Sequence, residues 1–343
     1  MQPLDALNQI AFRLERGGAD TYKVRAFRGA ARAIKDMPDD ELEALAKAGR
    51  LQGIEGVGKS TAQVIAEAID GKVPAYLTKI DKELTKDDLA VEGSAAELLQ
   101  SLRGDCHSHS DWSDGGSPIA EMAEAARDLG RDYLVLTDHS ARLTVAHGLN
   151  EERLREQLEV IRAVNERLAP FRLLSGMEVD ILDDGALDLD LDLLGELDVV
   201  VASVHSKLRM DARQMTARML AAIESPHTDI LGHCTGRIIV GRGRPQSTFD
   251  ARAVFEACAR TGTAVEINSR PERQDPPEDL LRQAVDLGCS FAIDTDAHAP
   301  GQLEWLGRGC RNAVAADVPF DRVVNRSTAA DLVSWASTHG KAA

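Results

Sequence analysis

Apolar residues recur every three to four positions over residues 4–16. They do so again from Tyr22 to Lys35, where Val24, Phe27, Ala30, Ala31 and Ile34 share one face and Lys23, Arg25, Arg28, Arg32 and Lys35 the other. This spacing predicts two amphipathic helices. Residues 39–48 and 60–70 predict two more, ended by Gly49 and Gly71. After Arg103 the texture changes. Short apolar runs near 104–107, 132–137, 172–178, 197–204, 228–232, 263–267 and 290–295 alternate with amphipathic stretches near 117–129, 150–168, 211–224, 249–261, 277–287 and 303–315. Seven strands separated by helices predict an α/β parallel barrel, although periodicity alone does not decide whether the sheet closes. The expected organisation is an all-helical head over 1–80, a connection over 81–102 with a short helix at 94–100, and a barrel over 103–340.

Composition adds little to this outline, and charge adds more. With 43% hydrophobic and 28% charged residues, the 343-residue chain reads as soluble and globular. No apolar run approaches a membrane span, and the N-terminus lacks the pattern of an export signal. Five scattered cysteines without a C-x-x-C pair predict neither a disulfide framework nor a cysteine zinc site, so a cytoplasmic location is expected. The net charge of -16 argues against a general nucleic-acid binder. It is unevenly spread, however. Residues 1–80 hold 12 Lys/Arg against 11 Asp/Glu, whereas residues 81–343 hold 28 against 45.

The chemistry lies at the ends of the apolar runs. His107 and His109 follow the first, with Asp114 in the loop beyond; Asp138 and His139 end the second; Glu178 and Asp180 end the third; His205 and His233 end the fourth and fifth; Asp296 and His298 end the last. In a parallel barrel those ends converge on one face. Members of His107-x-His109 and Asp296-x-His298 point the same way along extended chain. Imidazole with carboxylate suits Zn, Mn or Fe. Nine candidates (His107, His109, Asp114, His139, Glu178, His205, His233, Asp296 and His298) exceed what one tetrahedral ion takes, so two or three metals are expected. His147, in a loop after the second strand, could line the same pocket. His227 and His339 fall outside the pattern.

Clustered divalent metals activate water near neutral pH and clamp a phosphoryl group in line. Asp114 and His139 are therefore expected to be essential, and Arg142, Lys207, Arg237 and Arg270 are candidate phosphate contacts. No G-x-S-x-G nucleophile motif is present, which favours direct attack by activated water.

The segments Asp105-Cys106-His107-Ser108-His109, Ser113-Asp114-Gly115, Leu136-Thr137-Asp138-His139-Ser140, Gly176-Met177-Glu178-Val179-Asp180-Ile181, Ser203-Val204-His205-Ser206, Leu231-Gly232-His233 and Asp294-Thr295-Asp296-Ala297-His298 resemble the motifs of the PHP (polymerase and histidinol phosphatase) superfamily. The stretch Glu266-Ile267-Asn268-Ser269-Arg270-Pro271-Glu272-Arg273 resembles the version attached to bacterial family X DNA polymerases. The resemblance covers about residues 103–340 and implies a distorted (β/α)7 barrel holding three metals. One would be bound by His107, His109, Glu178 and Asp296; a second by Glu178, His205 and His233; and a third near Asp114, His139 and His298.

In the head, Gly53-Ile54-Glu55-Gly56-Val57-Gly58-Lys59-Ser60 satisfies the phosphate-loop pattern G-x-x-x-x-G-K-[ST], but that pattern needs a preceding strand, and residues 40–49 read as helix. The alternative is a helix-hairpin-helix, whose Gly56-x-Gly58 turn and following helix offer N–H groups and a dipole to a nucleic-acid phosphate. Lys59, Arg25 and Arg28 would add phosphate contacts. Residues 1–80 look like the small N-terminal domain of family X polymerases, which implies binding to gapped or 3′-ended DNA. The position of that family's lyase lysine is Val64 here, which cannot form a Schiff base. Glu55 replaces the usual proline and puts a negative charge near any bound phosphate, so weak binding is expected. A helical protein-interaction module is the other reading of the head. About 30 residues separate head from barrel, too few for a polymerase palm. The expected function is a metal-dependent phosphoesterase acting on DNA ends in repair, as a 3′–5′ exonuclease, 3′-phosphatase or abasic-site endonuclease. The alternatives are a small-molecule phosphatase of the histidinol-phosphatase kind and a non-catalytic DNA- or protein-binding scaffold.

Overall fold

In the computed structural model, which describes residues 1–84 and 90–338, seven strands run in chain order around one sheet: β1 (Gly104–Asp105), β2 (Tyr133–Leu136), β3 (Arg172–Asp180), β4 (Val199–Ser203), β5 (Ile230–Leu231), β6 (Ala264–Asn268) and β7 (Phe291–Asp294). Every neighbouring pair is parallel. The sheet curls until its edges meet. Ser108 bridges Ala297, the His109 amide donates to the Ala297 carbonyl at 2.8 Å, and the Thr295 amide to Asp105 Oδ1 at 3.2 Å. The expected seven-strand barrel is thus present, nearly closed.

The strands are short apolar runs because both their faces are covered. Tyr133, Val135, Leu174, Val199, Val201, Ile230, Ala264 and Ala292 form an inner cluster, closed by Leu332 and Ala336 of the last helix. Alternate residues such as Leu134, Leu136 and Leu173 pack outward against helices. This is the period-2 alternation of a barrel strand.

The helices are α1 (Pro3–Arg16), α2 (Thr21–Ile34), α3 (Asp39–Lys47), α4 (Lys59–Ile69), α5 (Ala75–Leu84), α6 (Gly93–Ser101), α7 (Ile119–Asp128), α8 (Glu151–Leu168), α9 (Leu191–Leu194), α10 (Ala212–Ile223), α11 (Ala251–Thr261), α12 (Glu278–Asp286), α13 (Leu306–Ala315) and α14 (Ala329–Thr338). The chain divides into two compact units, residues 1–88 with 300–302 and residues 89–299 with 303–343. The first therefore runs past residue 80, because Leu77 and Ile80 of α5 are buried in its core. Helix α6 belongs with the barrel, where Ala95, Leu98 and Leu102 are buried, rather than with a connection. No strand lies among the described residues before β1, which removes the context a phosphate-loop fold needs.

In the first unit α3 and α4 are joined by a tight turn. Gly56 has φ +85°, and a Cβ there would lie 3.5 Å from the Gly29 carbonyl of α2. That distance is ordinary contact, so it is the left-handed backbone that calls for glycine. At the start of α4 the Gly58 amide donates to Thr61 Oγ1 at 2.9 Å. Val64 is buried in the core of this unit.

Candidate metal centre

Alternation inside the barrel aims Glu178 of β3 at the axis, and five imidazoles surround it. His139 Nδ1 lies 2.9 Å and His107 Nε2 3.3 Å from Glu178 Oε2, and His109 Nε2 lies 3.5 Å from the same oxygen. On Oε1, His233 Nε2 approaches to 2.9 Å and His205 Nε2 to 3.1 Å. Asp296 Oδ1 lies 3.4 Å from His109 Nε2, and Asp114 Oδ1 lies 3.3 Å from His298 Nε2 and 3.6 Å from His139 Nε2. All nine residues read from the sequence as ligands meet at this one end of the barrel.

The centre is recessed. The side chains of His107, His109 and Glu178 are wholly inaccessible, while Asp114 is 34% exposed, so the approach lies on its side. His107 Nε2, both ring nitrogens of His109 and of His205, His139 Nδ1 and Glu178 Oε2 are buried without a hydrogen-bond partner. Leaving that many polar atoms unsatisfied is costly. Three groupings converge to within bonding reach of an ion: His109 with Asp114, His139 and His298; His107 with His109 and Glu178; and His139 with Glu178 and His205. An all-imidazole-and-carboxylate donor set of this kind fits divalent metal ions.

Electrostatics follow from packing charges around Glu178. Burial pushes the Glu178 carboxyl up, but His139, His205 and His107 override it and hold it well below the usual carboxylate range. Burial lowers His139 too, yet Glu178 and Asp114 raise it to about 10. His109 is driven down to about 3 by burial and by the neighbouring His298 and His139. Asp296 is also held low: burial is outweighed first by Arg270 and then by the hydrogen bond to His109.

A second layer of side chains holds the candidate ligands in place, the arrangement expected of a metal site. Glu266 Oε1 lies 2.6 Å from His107 Nδ1, and Glu266 also accepts from the His233 amide. Arg273 Nε donates to Asp296 Oδ2 at 3.1 Å, joined by Asn268 Nδ2 at 3.3 Å. Arg270 Nη1 lies 3.0 Å from His298 Nδ1. Asp180 faces His205 Nδ1 at 3.3 Å, and Asp138 is tied down by Ser110, Ser113 and Gln157. Burial raises Asp105, bonded to Thr295, to about 6. Asp296 itself has φ +53°, a strained conformation, and His109, Asn268, Arg270, Arg273 and His298 hold its carboxylate in place. Glu266 and Arg273 were not singled out among the candidate functional residues, although a lone charge inside the apolar run 263–267 marks Glu266 in the sequence.

The cationic candidates divide. Arg270 touches the centre. Lys207, two residues after His205, pairs with Asp183 and lines a cavity of about 720 Å³. Exposed Arg142 lines a smaller one of about 310 Å³ with Asp183, Asp184 and Asp188. Arg237 does not point to the centre: its guanidinium is occupied by the carbonyls of Arg273 and Gln274. In the first unit Gly56, Gly58, Lys59 and Arg25 are exposed. Arg28 is a correction: it is buried, and its Nε and Nη2 bind both Glu15 oxygens at 2.7 and 2.8 Å, leaving it no phosphate-facing role. His147 is exposed at φ +54° and outside the ligand groupings, His227 lies by the cavity under β4, and His339 lies outside the described residues.

Comparison with known proteins agrees with both units. Residues 1–73 match the helix-hairpin-helix domain model and residues 105–270 the PHP domain model. The chain is 38% identical over 263 residues to the DNA polymerase/3′–5′ exonuclease PolX of Bacillus subtilis; the match takes in 76% of this chain and 46% of that protein, so the chain spans about half its length. It is 29% identical over 232 residues to a "probable phosphatase" of Thermoanaerobacter sp. strain X514, covering 64% of this chain and 89% of that one. The structure of histidinol phosphate phosphatase from Lactococcus lactis subsp. lactis, solved with Zn, L-histidinol and phosphate, aligns with a TM-score of 0.41 at 18% identity, over 63% of this chain and 92% of that chain. No described helix is long and apolar enough to cross a membrane.

Proposed function

This chain carries a PHP domain behind a helix-hairpin-helix domain, and on that premise we propose that it is a metal-dependent phosphoesterase acting on DNA ends. The observation that carries the reading is the gathering of eight ligand-type side chains around Glu178, with buried atoms of His107, His109, His139, Glu178, His205 and His233 left without a hydrogen-bond partner. Two or three divalent ions, Zn, Mn or Fe, fit this donor set. His107, His109, Glu178 and Asp296 would hold one; Glu178, His205 and His233 a second; Asp114, His139 and His298 a third. When bound, such ions supply Lewis acidity toward a phosphoryl oxygen and activate water near neutral pH.

The protein's own residues do the rest. Glu266 orients His107, fixing which ring nitrogen faces inward, while Asp180 accepts from the His205 amide and faces its Nδ1 at 3.3 Å. Arg270, partly exposed beside His298, is placed to receive a phosphate oxygen. The recess limits bulk water. Exposed Asp114 and partly exposed His298 mark where substrate enters.

Action on DNA rather than on a small ester is supported by the helix-hairpin-helix unit and by the likeness to a 3′–5′ exonuclease. The match to nearly the whole of a probable phosphatase favours a second reading, hydrolysis of a small phosphomonoester. A matrix of metals (Zn, Mn, Fe) against substrates (3′-hydroxyl and 3′-phosphate oligonucleotides, an abasic duplex, histidinol phosphate and p-nitrophenyl phosphate) separates them. Turnover of 3′-ended DNA at a higher kcat/KM than any small ester is expected. Efficient histidinol phosphate turnover with inert DNA would replace the first reading by the second. No hydrolysis of any ester by metal-loaded protein would leave a binding scaffold.

A further inference from the structure

Immediately after the ligand His233 the chain makes a small hairpin that the phosphoesterase chemistry does not use. Ile238 and Arg244 pair in antiparallel fashion through amide-to-carbonyl bonds of 2.9 and 2.8 Å, and the Gly243 amide closes the turn on the Val240 carbonyl at 2.9 Å. Gly241 and Gly243, at φ +61° and +64°, permit that turn. The hairpin is anchored. Arg237 binds the carbonyls of Arg273 and Gln274, the Ile239 amide donates to the Glu272 carbonyl at 2.8 Å, and Arg244 Nε donates to the Gly236 carbonyl at 2.7 Å. The segment it is anchored to is the one whose Arg270 and Arg273 hold His298 and Asp296. A stiff projection is thus built onto the rim of the metal centre.

Its tip is the wrong chemistry for a solvated loop. Ile239 and Val240 are 49% and 45% exposed, side by side, and Arg242 beside them is exposed with no hydrogen bond or ion pair among the described residues. Most exposed arginines of this acidic unit, by contrast, are paired with carboxylates, as Arg155, Arg260 and Arg282 are. Paired aliphatic residues on a rigid support, with a free guanidinium alongside, match what intrudes between stacked bases: the apolar side chains replace a stacking partner and the cation meets the adjacent phosphate. The recess supplies the reason. Asp114 and His298 are partly open, but the innermost residues His107, His109 and Glu178 have no accessible side-chain surface, so a nucleotide that reaches them has to leave the stacked and paired duplex first.

We propose that the hairpin 237–244 is a wedge that opens the terminal base pair of a DNA end and releases the freed nucleotide to the metal centre. This rests on the proposed action at DNA ends. The test uses the full chain and the double variant Ile239→Ser/Val240→Ser. One readout needs no turnover: a duplex with 2-aminopurine at its 3′ terminus brightens as the base unstacks on binding wild type, and stays dim with the variant bound at saturation. The second is the ratio of kcat/KM on a blunt duplex to that on the single strand. It falls roughly tenfold in the variant, and a duplex with two terminal mismatches restores it. Turnover of p-nitrophenyl phosphate is unchanged, which shows that the centre is intact. An unchanged ratio, or equal losses on duplex and single strand, overturns the wedge while leaving the DNA-end reading standing. If wild type hydrolyses p-nitrophenyl phosphate but neither binds nor cuts DNA, the parent reading fails, and the wedge with it.

Discussion

At the residue scale the molecule turns on Glu178. One carboxylate has five imidazoles within 3.5 Å, and nothing else in the centre can neutralise and orient so many. Glu178→Gln keeps the shape and removes the charge. It should lower kcat/KM by roughly a hundredfold or more, since charge stabilisation worth several kcal/mol depends on the ions it helps hold. Elemental analysis should find fewer ions per chain; full metal content with full activity would refute the assignment. Glu266 acts one layer out, through His107 and the His233 amide. Glu266→Gln should therefore weaken metal binding or activity by about 10- to 100-fold, the range expected of a second-layer partner. The pH dependence follows from His139. Its pKa is raised from the ordinary 6.5 to about 10 by Glu178 and Asp114, against the pull of burial. In the metal-free fold this attraction is fully present below pH 6.5 and is lost as pH rises through about 10. A ligand imidazole must be neutral, so between those values metal binding displaces a proton and affinity rises with pH. Calorimetric titration at pH 8 in two buffers of different ionisation enthalpy should show proton release; identical heats in both would count against it.

At the element scale, strand ends were legible because a barrel strand is an apolar run cut off by a His, Asp or Glu, as Leu134-Val135-Leu136 is before Asp138 and His139. Even the two-residue strands β1 and β5 were found that way. What stayed hidden depends on partners distant in sequence. The basic stripe of α2 looks uniform, yet Glu15 of α1 takes Arg28 into the core while Arg25 stays outside. Arg237 looked like a phosphate ligand until the carbonyls of 273–274 occupied it. The end of the head was misplaced because α5 carries only two fully buried apolar residues, too weak a period to read. Turns hide further constraints. Gly148, in the loop between β2 and α8, would put a Cβ 1.9 Å from the Ser140 carbonyl oxygen, and the Ser140 amide is bonded to the Glu178 carbonyl at 3.1 Å. Neither backbone can give way cheaply. Gly148→Ala should destabilise the barrel by about 3 kcal/mol, read as a lowered denaturation midpoint at constant m-value. A loss below about 0.5 kcal/mol would show that the loop is free to move.

At the scale of the whole molecule, charge divides along with structure. The helical unit is close to neutral and presents Arg25 and Lys59 to solvent, while the residues after 80 carry 45 acidic against 28 basic side chains. A body so acidic repels a polyanion over most of its surface, so if the chain acts on DNA ends as proposed, long-range attraction should come from the other unit. The Gly58 amide, though, is spent on Thr61, and Glu55 is exposed next to the turn, so on the proposed reading that attraction should be modest and electrostatic in kind. The barrel unit has its own core, and every candidate ligand comes from it. A chain starting at residue 89 should therefore hydrolyse p-nitrophenyl phosphate with a kcat/KM within about twofold of the full chain, as expected if both retain the same transition-state contacts. Its affinity for a 3′-ended duplex should fall roughly tenfold at low salt, and its binding should become nearly independent of salt, whereas the full chain loses affinity steeply as salt rises, one increment per phosphate contact. Anisotropy titrations at several salt concentrations measure both slopes. Parallel slopes for the two proteins would move DNA recognition onto the barrel, and an equal loss of activity on DNA and on the small ester would make the helical unit a support for the fold.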